Sequence, residues 1–137
     1  MNNNLAQFYG WLHLQASEIR TGMGILWRDA ILRQLLLIGL LLNSVGWLLS
    51  ALLTSKVSAD IIGLHHNIYF GITLIGSPRQ VYFIPLLGLI IIAANAVFSY
   101  LIKEESRFFM YLFAVSSSLV NVFLILGVAA IMLINFK

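Results

Sequence analysis

The chain has no cysteine, two prolines in 137 residues, and charge on only 9% of its positions. Without thiols there are no disulfides, iron–sulfur clusters or thiolate zinc sites. A soluble domain carries about 25% charged residues to solvate its surface. A chain that is 61% hydrophobic cannot cover a water-facing shell, so a soluble globular enzyme and a disordered tail are both excluded. Eight basic residues against five acidic ones leave a net charge of +3. They are spread thinly, with no basic stripe to neutralise phosphates, which argues against a nucleic-acid partner. There is no phosphate-binding loop, dinucleotide fingerprint or nucleophile elbow.

The three histidines add little chemistry. His13 stands alone, and His65 and His66 are adjacent, so on a strand they point to opposite faces and cannot readily share a metal. Ser58, Asp60 and His65 are the residue types of a catalytic triad, but nothing marks a positioned nucleophile or an oxyanion hole. No catalytic residue, metal or cofactor is expected.

Three long apolar runs are present instead: Leu35 to Thr54, Val81 to Ile102, and Phe108 to Phe136, none holding an Asp, Glu, Lys, Arg or His. A bilayer-spanning helix needs about 20 apolar residues, and in hydrocarbon each backbone must satisfy its own hydrogen bonds, so helix is the expected form. The expected fold is an all-α integral membrane protein with three transmembrane helices in a small bundle. Tyr82, Phe83, Tyr100, Phe108, Phe109 and Tyr111 stand at the ends of the second and third runs, where aromatic rings favour the headgroup boundary. The polar turn at residues 103–107 makes those two spans an antiparallel hairpin.

Basic residues set the expected orientation. Arg20, Arg28, Arg33, Lys103 and Arg107 fall on one side, and Lys56, Arg79 and Lys137 on the other. This places the N-terminus in the cytoplasm and the C-terminus outside. Val57-Ser58-Ala59 has the look of a signal-peptide cleavage site. The apolar run before it is longer than the roughly 7–15 residues of a signal core, so cleavage is not expected.

Residues 1–34 read as an amphipathic surface segment. Leu5, Phe8, Tyr9 and Leu12 fall on one helical face with Trp11 beside it, as in helices that lie in the membrane interface. A break is expected at Thr21-Gly22-Met23-Gly24, because glycine disfavours helix interiors. In the extramembrane loop, residues 55–80, Ile62, Leu64, His66, Ile68, Phe70, Ile72 and Leu74 alternate with small or polar residues. This period of two points to an extended strand with one apolar face. Its open edge needs a partner: a hairpin near His65-His66-Asn67, a second copy, or another protein. The seven alternating residues are the expected partner-binding surface.

Each run also carries an asparagine within a stripe of small residues at helical spacing: Gly39, Asn43, Gly46 and Ser50; Gly88, Ile92, Asn95 and Ser99; Ala114, Ser117, Asn121 and Leu124. Helices in lipid associate through small residues and interhelical hydrogen bonds. Asn43, Asn95 and Asn121, with Ser99 and Ser117, are therefore expected to meet as interhelical polar contacts about 10–20 Å deep. No ionisable group of the kind used by pumps and proton-coupled transporters accompanies them.

The stretch Leu64-His65-His66-Asn67-Ile68-Tyr69-Phe70-Gly71-Ile72, with Leu74-Ile75-Gly76 and Ile84-Pro85-Leu86-Leu87-Gly88-Leu89, resembles a pattern in uncharacterised small three-span bacterial membrane proteins. Trp27-Arg28-Asp29 and Arg33 fit it too. The resemblance spans residues 27–135 and implies the three-span architecture without an activity. The leading expectation is a non-enzymatic accessory or structural subunit of a membrane complex, contacting lipid and other subunits or a second copy. A small oligomeric, holin-like or channel-like pore comes second. A haem- or quinone-binding anchor comes third.

Overall fold

A computed structural model describes residues 3–57, 60–67, 69 and 71–136. Four helices and one hairpin follow in order: α1 (Asn3–Arg28), α2 (Ala30–Lys56), β1 (Ile62–Asn67), β2 (Gly71–Gly76), α3 (Phe83–Leu101) and α4 (Arg107–Asn135). A 3₁₀ turn over Pro78–Tyr82 leads into α3; proline at its first position gives up an N–H that the helix start would leave unpaired anyway. Pro85 is the third residue of α3 and is buried.

α2, α3 with its leading turn, and α4 are long and apolar enough to cross a membrane. α4 has 29 residues, about 43 Å at the helical rise, against a hydrocarbon layer of about 30 Å. Their outward faces carry large apolar side chains: Leu41, Leu48, Phe123, Leu126 and Leu133 are each more than half exposed. A monomer in water seldom shows apolar surface on this scale.

α2 and α4 run parallel, and α3 packs antiparallel against both. At one end Leu32, Leu36, Met110 and Ala114 form a buried cluster, flanked by Ala96 and Tyr100. At the other end Leu53, Ile62, Val81, Val128 and Ile131 form a second. Between them lies a layer of small and polar residues that includes Asn43, Ser50, Ser117 and Asn121, all buried. All four residues of the α2 stripe, Gly39, Asn43, Gly46 and Ser50, are buried. So are Gly88, Ile92 and Ser99 of α3 and Ala114, Ser117 and Asn121 of α4.

Two expectations need correction. The first concerns α1, which runs unbroken through Thr21–Gly24. Gly22 is buried, and a Cβ on it would stand 2.8 Å from the Tyr100 ring of α3. Close packing of α1 on α3 offsets the cost of about 1 kcal/mol that glycine brings to a helix. Lys103 Nζ closes over the same ring, 3.8 Å from its centre. The chain breaks instead at Asp29, whose extended backbone separates α1 from α2 and whose side chain caps α2. Phe8, Tyr9, Trp11 and Leu12 are all exposed.

The second concerns the loop, which takes the hairpin form among the expected arrangements, with two antiparallel strands, but folds back at a different place. Asn67 stands opposite Gly71, so the strands fold back beyond the expected site. Gly71 sits at φ +74, in the left-handed region that glycine occupies without a steric penalty. Pairing shifts between Gly63 and His65 and again between His65 and His66. The expected single apolar face is therefore divided. Ile62 is buried in the end cluster and Leu64 packs against it, while Ile72 and Leu74 are 52% and 55% exposed. The His66 side chain, Ile68, Phe70, and Ser58 and Ala59 of the cleavage-like site lie outside the described residues.

Candidate functional site

The polar layer is built from three helices. Asn43 on α2 donates through Nδ2 to Asn121 Oδ1 on α4 at 2.9 Å and to the Pro85 carbonyl on α3 at 2.8 Å. Its Oδ1 accepts from Trp47 Nε1 at 3.0 Å. Asn121 Nδ2 donates to the Ser117 carbonyl, one turn back on its own helix, at 2.8 Å. Both oxygens and both nitrogens of the two amides therefore have partners. Gly88 makes room for them: a Cβ there would overlap Asn121 Oδ1 and come within 2.6 Å of Asn43 Nδ2.

Asn95 does not join this pair. Its Nδ2 donates to Ser116 Oγ at 3.1 Å and Ser117 Oγ at 3.0 Å, linking α3 to α4 alone. Ser99 Oγ donates to the Met110 carbonyl at 3.0 Å, also between α3 and α4. The expected cluster of three amides is thus two separate nodes. The reason is register: Asn43 and Asn121 face each other across Gly88, whereas Asn95, two helical turns further along α3, meets the serines of α4.

At the ends of the bundle, side chains hold backbone groups and a few side-chain partners. Asn135, in the last turn of α4, accepts from Gly63 N–H at 3.0 Å through Oδ1. Its Nδ2 donates to the Gly63 carbonyl at 2.8 Å. One amide thus engages both backbone groups of a strand residue and fastens β1 to the bundle. At the opposite end, Asp29 Oδ1 accepts from Leu32 N–H at 2.9 Å, and Asp29 Oδ2 accepts from the Tyr111 hydroxyl on α4 at 2.9 Å. The Leu32 N–H does most to hold the Asp29 carboxyl below the ordinary carboxylate range; burial opposes it, and the Tyr111 bond adds to it. The Thr54 and Tyr82 hydroxyls are 2.9 Å apart, and the Trp47 and Tyr82 rings lie 5.8 Å apart, tying α2 to the turn before α3.

Asp29, Trp47, Ser116, Tyr111 and Asn135 were not among the polar contacts expected from sequence. Asn135 had a readable signal, as an isolated amide in the last turn of an apolar helix. The others needed the fold. His13 is exposed, and His65, also exposed, lies with Nδ1 2.6 Å from Thr73 Oγ1. Among the described residues no three His, Cys, Asp or Glu side chains come together as a metal-holding group.

Comparison with protein families, with curated proteins and with solved structures finds no match to this chain.

Proposed function

We propose that this chain crosses a bilayer three times and serves as a non-enzymatic accessory or structural subunit of a membrane complex. The observation that carries the reading is how the polar groups inside the apolar helices are used. Asn43, Asn121, Ser99 and Ser117 are bonded within or between helices, and no buried side-chain nitrogen or oxygen among the described residues lacks a partner. Such a layer locks register, and bonds made within the chain favour a structural role over a polar lining. Arg20, Arg28, Arg33, Lys103 and Arg107 gather at the α1 end, which the positive-inside bias puts in the cytoplasm. The hairpin then lies on the exterior side. Asn135 holds it in place, with Ile72, Leu74 and Ile75 exposed for a neighbouring subunit to cover.

Native mass spectrometry of the tagged chain, extracted from its own membranes in mild detergent, tests this. A stable complex with a different subunit is the expected result. A homo-oligomer that passes solutes across liposomes would replace this reading with the pore. A monomer with no companion would overturn the subunit role.

A further inference from the structure

Asn95 has hydrogen-bonding capacity that the described residues leave unused. Both of its bonds run from Nδ2, to Ser116 and Ser117, and no described residue donates to its Oδ1. The two serine hydroxyls are committed as well, each donating to the Phe113 carbonyl. Asn95 is only partly buried and sits on the rim of the α3–α4 seam. One turn away is Phe98, half exposed, with its ring 5.6 Å from that of Phe113. In the three-span arrangement, on which this inference rests, that carbonyl faces hydrocarbon, where neither lipid tails nor water supply a donor.

We propose that a second copy of this chain docks on the α3–α4 rim and that the two Asn95 side chains pair across a two-fold axis. Each Nδ2 keeps one serine and donates its other hydrogen to the Oδ1 of the second copy. Three features favour a second copy over a foreign helix. A carboxamide carries both donor and acceptor, so it is its own complement, and one contact satisfies both chains. A two-fold along the membrane normal brings the two Asn95 residues to the same depth, whereas another protein would need a donor placed there independently. α3 carries no charge, nor does α4 after Arg107, so identical rims do not repel. A self-complementary patch closes at two copies, and one buried asparagine is enough to set pairing and register between helices.

The absence of cysteine makes single-cysteine cross-linking in native membranes clean. Phe98→Cys, one turn from Asn95, is expected to form disulfide-linked dimers on mild oxidation. Leu41→Cys, 67% exposed on α2, is the comparison position and is expected to stay monomeric. Adding Asn95→Leu to Phe98→Cys should lower the dimer yield, and in detergent it should weaken wild-type dimerisation about tenfold, since two interhelical hydrogen bonds are lost. Monomer melting should fall modestly, because the bonds to Ser116 and Ser117 are lost as well, so dimer populations are compared where both proteins are folded. Equal cross-linking at positions 98 and 41 would overturn the proposal, as would an Asn95→Leu protein with unchanged dimer population. A foreign subunit cross-linked at position 98 would overturn it too. Carbonate extraction separates the two readings: a chain released from the membrane fraction defeats the three-span arrangement itself, while a retained monomer defeats only the pairing.

Discussion

The middle of the bundle and its two ends are held by different means. In the middle, Asn43 and Asn121 meet over Gly88, and three helices share one pair of amides. At the ends, one side chain grips one piece of backbone: Asn135 on Gly63, and Asp29 on the first turn of α2. The middle depends on shape, because the amides fit only where a side chain is missing. The ends depend on individual bonds near solvent, where water can replace a lost partner. Damage should therefore spread through the whole bundle from the middle and remain local at the ends.

The largest effect is expected at Gly88. Even Gly88→Ala puts a methyl against both amides, and overpacking of this kind costs about 1–3 kcal/mol. The melting temperature in detergent should fall, and the three helices should lose protection from hydrogen exchange together. Loss confined to α3 would mean that the middle is not a shared node. Asn121→Leu should come next. It removes the acceptor for Asn43 and the donor to the Ser117 carbonyl but leaves Asn43 its bond to Pro85. About 1–2 kcal/mol is the scale for buried interhelical hydrogen bonds of this kind, read by the same melt. A cost equal to that of Gly88→Ala would show that the bonds matter as much as the space.

This contrast also explains what could be read from the sequence. In the middle, spacing translates directly into contact, because residues three and four apart share a helix face. Gly39, Asn43, Gly46 and Ser50 are all on the buried face of α2 for that reason. Spacing along one helix does not set the offset between helices, so the separation of Asn95 from the other two amides was not legible. Parity left the hairpin open beside a single strand and could not choose between them. His66 pairs with Ile72 and Asn67 with Gly71, so even positions stay on one face whether the chain runs straight or folds back. The shift that sets His65 opposite Leu74 then spoils the alternation in a way no period reveals. The α1 break was misplaced because Gly22 answers to Tyr100, distant in sequence and close in space. Asp29 to Tyr111 and Asn135 to Gly63 were equally out of reach, with 82 and 72 residues separating the partners.

Asn135→Ala sharpens the comparison at the hairpin end. Gly63 N–H and C=O lose their partner, at about 1 kcal/mol for a partly exposed bond. The expected outcome is faster hydrogen exchange across Ile62–Asn67, with the melt of the three helices nearly unchanged. Ile62 stays buried against Leu53, Val128 and Ile131, so the hairpin should loosen without leaving. A concerted drop in the global melt would place Asn135 with the middle.

The smallest effect is expected at Asp29, and acid is the probe. Its folded-state pKa lies below the ordinary 3.8, chiefly because the Leu32 N–H bonds the ionised form. A lowered pKa means that the ionised carboxylate stabilises the fold in full above that ordinary value. The contribution is lost as pH falls through the lowered one, since the unfolded chain takes up the proton first. The melting temperature should therefore decline on acidification below about pH 4, and Asp29→Asn should flatten that decline. Asparagine is itself a good N-cap, so the variant keeps the bond to Leu32, while its Nδ2, in the place of Oδ2, donates to the Tyr111 oxygen in a reversed bond, and the charge is lost. If the wild-type acid slope survives Asp29→Asn, the titrating group lies elsewhere. A variant that destabilises the protein equally at neutral and acid pH would show that Asp29 acts through its bonds and not its charge, since the wild-type carboxyl is protonated in acid, and this end would then behave like the middle.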